Sequence, residues 1–299
     1  MSPRVAVLGL GAMGLPMATH LVQDHAVVGF DVSPERLALA RAAGASTAAS
    51  PAEAGQGADV VLVGVRDAAQ LAQALFGDEG AARTLAAGTV VVLTSTVGVD
   101  AARAAADRLG AQGVHLVDAP VSGGPVRAGT GDLLIMVGGP PEAVEAARSV
   151  LTALSSTLTV AGPRVGDGQV LKTVNQLLCG VHTAAASEAL ALAHALGLDL
   201  DATIEVLGKG AAASFMLADR GPRIAAQLRG DAPELRSRLD VISKDMGLVA
   251  RLAREAHVAT PVASAAEQLY LLGEARGLAA ADDSVVATTL ALPDEGGAA

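Results

Sequence analysis

The stretch Gly9-Leu10-Gly11-Ala12-Met13-Gly14 constrains this chain more than any other, because of what surrounds it. An apolar run, Val5-Ala6-Val7-Leu8, precedes it, and an amphipathic segment, Leu15 to Val22, follows it. A second apolar run, Val27-Val28-Gly29-Phe30, then ends in Asp31. Strand, glycine turn, helix, strand and acid in that order is the pattern of a dinucleotide-binding βαβ unit. Gly9 permits the tight turn out of the strand, Gly11 lets a pyrophosphate approach the backbone, and Gly14 lets the helix pack close to the sheet. The helix N-terminus offers N–H groups and the positive end of its dipole to the phosphates. Asp31 stands 20 residues after Gly11, where a carboxylate accepts hydrogen bonds from the adenosine ribose. A carboxylate there repels a 2′-phosphate, so the expected cofactor is NAD, with NADP disfavoured. Val32-Ser33-Pro34 place no base beside Asp31, and Arg36 reads as a helix-surface residue. The competing reading is an α/β turn that binds nothing; the strand, helix and acid around the glycines argue against it.

A chain of 299 residues has room for two domains. It is 51% hydrophobic and 17% charged, with alanine supplying much of the apolar share. Aromatic residues make up only 1% and tryptophan is absent, so large aromatic anchors cannot dominate the core. Every apolar stretch is interrupted by charge, glycine or proline before it reaches membrane-spanning length. The first strand near residue 4 leaves no room for a signal peptide. The single cysteine, Cys179, excludes an internal disulfide framework and a cysteine-based zinc cluster. These features lead us to expect a cytoplasmic protein without a metal site. A net charge of -10 argues against a nucleic-acid partner.

Strand candidates are Arg4–Leu8, Ala26–Asp31, Val60–Val65, Val90–Thr94, His115–Ala119 and Leu134–Val137, with a further one at Thr157–Val160. Alanine-rich helical stretches such as Pro34–Ala43 and Asp100–Leu109 lie between them. Strands alternating with helices indicate a doubly wound parallel sheet, a Rossmann domain over residues 1–163. The pattern changes after Gly162-Pro163. Between Gly168 and Ala195 there is no proline and one glycine, Gly180, so this reads as one helix of roughly 40 Å. Further helical segments follow at Ala202–Leu207, Leu217–Leu228, Ser243–Glu255, Val262–Leu272 and Ser284–Leu290, with a frayed tail from Pro293. Residues 164–299 are therefore expected to form an all-helical domain entered by the long helix.

Two further constellations carry chemistry. Lys172, Asn175, Gln176, Cys179 and Thr183 fall on one face of the long helix. A lysine in a partly closed cleft can exchange a proton near neutral pH; the alternative is a snorkelling surface lysine beside capping groups. The segment Asp118-Ala119-Pro120-Val121-Ser122-Gly123-Gly124-Pro125, followed by Gly129-Thr130-Gly131, comes after a strand, on the side where open α/β sheets bind ligands. Ser122 with the N–H groups of Gly123 and Gly124 suits a carboxylate; the alternative is an ordinary Gly/Pro loop. Asp282-Asp283 and Asp199/Asp201 read as solvated or capping acids.

With these blocks in hand, the chain resembles the β-hydroxyacid dehydrogenase family, whose members act on 3-hydroxyisobutyrate and tartronate semialdehyde. Four blocks match in order: Gly9 to Gly14 with Pro16-Met17-Ala18; Asp118 to Gly124 with Gly138-Gly139; Gly166 through Lys172 to Asn175-Gln176; and Lys244-Asp245. The resemblance implies a Rossmann domain, a helical domain and an active site between them. It makes Lys172 the catalytic acid/base, and gives Ser122, Gly123, Gly124 and Asn175 to the substrate carboxylate or hydroxyls. It places Thr96 near the nicotinamide and Lys244 on the cofactor. The family's Leu-Pro pair is Val65-Arg66 here, and its second asparagine is Gln176. The run Arg66-Asp67-Ala68-Ala69-Gln70, with Phe215-Met216, Arg220-Gly221-Pro222-Arg223 and Asp282-Asp283-Ser284, is similar to the L-threonate dehydrogenase branch, which also has a histidine matching His182. Val65 and Arg66 are thus expected beside the cofactor, and Gln176 and Phe215 beside the substrate.

The expected reaction is hydride transfer between a small hydroxy acid and NAD, the threonate, glycerate and 3-hydroxyisobutyrate class being the candidates. An imine reductase shares the two-domain plan, but generally has another residue at the lysine position. A non-catalytic NAD-binding protein is the third possibility, and the retained Lys172 argues against it. Family helical domains pair, which implies a homodimer or homotetramer.

Overall fold

The computed structural model describes residues 2–290. The chain divides into two compact units, Met1–Lys172 and Thr173–Ala299. In the first, nine strands build one sheet: β1 Arg4–Leu8, β2 Ala26–Phe30, β3 Ser46–Thr47, β4 Val60–Val63, β5 Val90–Leu93, β6 His115–Asp118, β7 Val121–Ser122, β8 Leu133–Gly138 and β9 Ser155–Gly162. Their order is β3-β2-β1-β4-β5-β6-β8-β7, with β9 also paired to β8. Valine dominates the centre because β-branched side chains pack well on a pleated surface buried on both sides. All four residues of β4 and all four of β5 are buried. Alternate residues feed two cores: Val5, Val7, Val60, Leu62, Val90 and Val92 face one layer. Ala6, Leu8, Val61, Val63, Val91 and Leu93 face the other.

From β3 to β6 the pairing is parallel, as a doubly wound sheet requires. Beyond β6 the sheet departs from the expected pattern. β8 runs antiparallel to β6 and β7, and β9 returns parallel to β8. Strand order reverses between β1 and β4, and ligands of open α/β sheets sit in the crevice at the carboxyl ends of such strands. The ends of β1, β2, β4, β5 and β6 carry Gly9, Asp31, Val65, Thr94 and Asp118.

The long helix is observed at Asp167–Ala195 and continues past Lys172 into the second unit. There it is joined by helices Leu200–Gly208, Phe215–Leu228, Leu239–Glu255 and Pro261–Ala275. The last expected helix is instead a 3-10 segment, Asp283–Thr289; the expected frayed tail from Pro293 lies outside the described residues. Gly180 is explained by its neighbour, since a Cβ there would overlap the Met246 sulfur. Tyr270 Oη, fully buried, donates to the Gly180 carbonyl at 2.6 Å. No helix among the described residues is long and apolar enough to cross a membrane.

Candidate active site

The glycine turn separates three reasons for being glycine. Gly9 has φ +92°, and a Cβ on it would strike the Gly64 carbonyl. A Cβ on Gly14 would overlap the Gly9 carbonyl. Those two are required by packing between the ends of β1 and β4 and the following helix, Gly14–Leu21. Gly11 differs: a Cβ there meets nothing within 4 Å and its φ is ordinary. The fold itself does not need glycine at this position, but a phosphate lying against the backbone does. The residues therefore fit a dinucleotide. Leu10 is buried in the core, so its contribution to the loop is its backbone, whereas Ala12 is exposed and Met13 stands at the helix start.

Asp31 has a task that spacing did not reveal. Its Oδ2 accepts from Leu10 N–H at 2.7 Å and its Oδ1 from Ser33 N–H at 2.8 Å. The carboxylate thus ties the glycine turn to the end of β2, and each oxygen keeps lone pairs for ribose hydroxyls. Ser33 caps the next helix by accepting from Arg36 N–H. Arg36 is half-buried rather than fully on the surface.

The loops after β4 and β5 are stitched together. Val65 N–H donates to Ser95 Oγ at 2.7 Å, and Ser95 Oγ and Thr94 Oγ1 both donate to the Val63 carbonyl. Thr96, half-buried, follows at once. Arg66 is exposed, and its N–H donates to Gln70 Oε1 at 3.0 Å, while Asp67 caps the helix Ala68–Phe76 through Gln70 N–H.

At the end of β6, Asp118 is fully buried. Its Oδ1 accepts from Gly166 N–H and its Oδ2 from Gln169 N–H, both at 2.7 Å. It is the cap of the long helix, satisfying backbone donors that the helix itself leaves orphaned. Burial pushes its carboxyl up to about 6, against the pull of those backbone hydrogen bonds. In the second turn of the helix stands Lys172, only 6% exposed. A snorkelling surface lysine is thereby excluded.

The candidate carboxylate loop is not a simple loop. Val121–Ser122 form a short strand paired antiparallel with Ile135 and Leu134. Gly123 and Gly124, with φ +142° and +75°, then turn the chain into a short helix, Gly124–Ala128. Ser122, Gly123 and Gly124 are all half-buried.

In the second unit, Asn175 Nδ2 donates to Gln176 Oε1 at 2.9 Å and to Cys179 Sγ at 3.3 Å. Gln176 Nε2 donates to Asp245 Oδ2, and Lys244 Nζ lies 2.9 Å from Asp245 Oδ1. Gln176 thus links two of the four matched blocks, through Asp245. Thr183 belongs to the stripe by spacing only, being buried and donating to the Cys179 carbonyl. Phe215 opens its helix and is 61% exposed, and His182 is exposed.

The acids expected at the surface divide. Asp199 caps the helix Leu200–Gly208, and Asp201 pairs with Arg229. Asp282 and Asp283 are instead buried, bonded to Arg223 and Arg220 respectively. Two arginines spaced i, i+3 on one helix, matched by two adjacent acids, were the signal that spacing offered. Among the described residues no cluster of His, Cys, Asp and Glu could hold a metal ion.

Comparison with known proteins agrees with this architecture. Residues 4–162 match the family model of the NAD binding domain of 6-phosphogluconate dehydrogenase. Residues 166–290 match that of the NAD-binding domain of NADP-dependent 3-hydroxyisobutyrate dehydrogenase. The chain is 40% identical to an L-threonate dehydrogenase of Cupriavidus necator, over 96% of this chain and 95% of that one. It is 35% identical to an NAD-dependent L-serine dehydrogenase of Pseudomonas aeruginosa, over 95% and 96%. The crystal structure of a 3-hydroxyisobutyrate dehydrogenase from Salmonella typhimurium superposes with a TM-score of 0.90 at 34% identity, covering 96% of this chain and all of that one. The chain belongs to the β-hydroxyacid dehydrogenase family, in its threonate branch.

Proposed function

We propose that this protein is an NAD-dependent dehydrogenase of a small hydroxy acid, with Lys172 as general acid/base. The observation that carries the reading is Lys172 itself: a buried lysine, close after a helix start that Asp118 docks at the carboxyl end of the sheet. A lysine removed from bulk solvent at the carboxyl end of a parallel sheet is suited to exchange a proton with a bound substrate.

Bound NAD supplies the nicotinamide C4 that exchanges the hydride. The chain holds it through the open backbone at Gly11, through Gly9 to Gly14, and through Asp31 on the ribose. Val65, Arg66, Thr96 and Lys244 complete the cofactor set. Ser122 with Gly123 and Gly124 grips the substrate carboxylate, while Asn175, Gln176 and Phe215 contact the rest of the acid. Lys172 Nζ takes the hydroxyl proton on oxidation and returns it to the carbonyl oxygen on reduction. Positioning the substrate's carbinol carbon and hydroxyl against the cofactor and Lys172 would supply much of the acceleration.

The names of the relatives favour L-threonate, L-serine or 3-hydroxyisobutyrate as the substrate. An imine substrate is disfavoured by Lys172 and by the glycine-rich anion loop. We place the protein in the cytoplasm on its composition and single cysteine, and as a homodimer or homotetramer on the family resemblance. The test is NADH formation at 340 nm with L-threonate, D-glycerate, 3-hydroxyisobutyrate, 4-hydroxybutyrate and L-serine, with NAD and NADP in parallel. Turnover of one acid with NAD, abolished in Lys172→Ala, is expected. Silence across the panel with NAD binding intact would contradict the reading.

A further inference from the structure

We propose that Gln169 is a positioning residue that fixes Thr96 and Lys172 relative to one another for proton and hydride transfer. The proposal rests on the roles given above to those two residues. Gln169 is fully buried. Its Oε1 accepts from Val97 N–H at 3.0 Å and from Gly98 N–H at 3.1 Å, and its Nε2 donates to the Ser95 carbonyl at 2.9 Å. Ser95 C=O and Val97 N–H are the backbone groups on either side of Thr96. The side-chain amide therefore grips Thr96 from both flanks, as a neighbouring strand would.

The other end of Gln169 is equally tied. Its own N–H donates to Asp118 Oδ2, while Gly166 N–H donates to Asp118 Oδ1. Asp118 sits in a crevice only glycines allow: a Cβ on Gly138 would stand 2.6 Å from Oδ1, and one on Gly168 would stand 2.8 Å from Oδ2. The ends of β5 and β6 and the first turn of the long helix thus form one hydrogen-bonded block. Lys172 lies three residues beyond Gln169, on the next turn and the same face. A rotation of that turn would swing Lys172 away from the Thr96 side, and near-attack geometry tolerates little of this. A purely structural amide need only satisfy buried backbone groups; this one links the two segments that the proposed chemistry must register.

Two variants separate positioning from support. Gln169→Met keeps the length and loses the three bonds named above; Gln169→Glu keeps the two acceptor bonds and turns a carboxylate oxygen toward the Ser95 carbonyl in place of the donated N–H. With the acid identified by the panel, deuterated at its carbinol carbon, kcat, KM, the kinetic isotope effect on kcat, the NAD dissociation constant and Tm are measured. The expected result for Gln169→Met is a fall in kcat of about 30-fold or more, with a larger isotope effect as hydride transfer becomes limiting. NAD binding should stay within about threefold, because the adenosine end is held elsewhere. Gln169→Glu should shift kcat and the isotope effect in the same directions, because its carboxylate oxygen repels the Ser95 carbonyl. A folded Gln169→Met that lowers only Tm, with kcat and isotope effect as in the parent, would overturn the proposal. If that variant does not fold, a Gln169→Glu protein with the parent's kcat and isotope effect would do so. Lys172→Ala separates the two claims: its inactivity beside fully active Gln169 variants would overturn this proposal and leave the acid/base reading standing.

Discussion

Asp118 makes the helix start at a cost, and the cost can be measured. Its carboxyl is raised from an ordinary 3.8 to about 6, chiefly by burial. Between those two values the folded state binds a proton that the unfolded state has already lost. Its contribution to stability is therefore fully present below pH 3.8 and is lost as pH rises through about 6. A tenfold difference in proton affinity is worth about 1.36 kcal/mol, so the ionised carboxylate costs the fold on the order of 3 kcal/mol at pH 7. Other acids titrate in opposite senses, Asp132 and Asp282 being held below the ordinary carboxylate range. The measurement must therefore be a difference. Urea unfolding of the wild type and of Asp118→Asn, followed by far-ultraviolet circular dichroism at pH 4 to 8, isolates the one group. The stability of the wild type relative to Asp118→Asn should fall by on the order of 3 kcal/mol between pH 4 and pH 7.5 and then level off. Asn loses part of the cap as well, but that loss does not vary with pH. A difference that stays flat across the range would refute the reasoning and show that Asp118 is solvated or differently paired.

Two further changes probe other parts of the structure. Asp31→Ser removes both the ribose carboxylate and the acceptor for Leu10 N–H, so the ratio of kcat/KM for NAD over NADP should drop by about tenfold or more, read at 340 nm with each cofactor; an unchanged ratio would show that Asp31 does not face the ribose. Arg223→Met leaves Asp282 without its 3.0 Å partner and removes one of the two guanidinium groups that oppose the upward push of burial on Asp283. A loss of about 3–5 kcal/mol is expected in urea unfolding, and a loss under about 1 kcal/mol would show that the buried acids find other partners.

Which parts of this molecule were legible in sequence follows from how local the cause is. The glycine turn, the strands around it and the long helix each carry their signal locally: β1 lies where its apolar run puts it, and the helix starts and ends within a residue of the proline-free stretch from Gly168 to Ala195. The two-residue strand Ser46–Thr47 and the strand Val121–Ser122 have no period to show, and exist only because a longer neighbour offers an edge. The antiparallel turn of β8 was hidden for the same reason: a single strand's pattern does not encode its partner's direction. Asp118 stood in view as part of a motif, but its role depends on N–H groups some fifty residues downstream, and Gln169 reaches back more than seventy. Asp282 and Asp283 looked like surface acids because adjacent acids usually are. Only the fold of the second unit brings Arg220 and Arg223 to them.

The central claim is that Lys172 moves the proton, and Lys172→Ala tests it most directly. Once the panel has named the acid, kcat for that acid is compared between the wild type and Lys172→Ala, alongside the NAD dissociation constant from titration. The account predicts a fall in kcat of about 10²-fold or more with NAD binding nearly unchanged. Turnover retained in Lys172→Ala, or NAD binding lost in proportion to kcat, would contradict it.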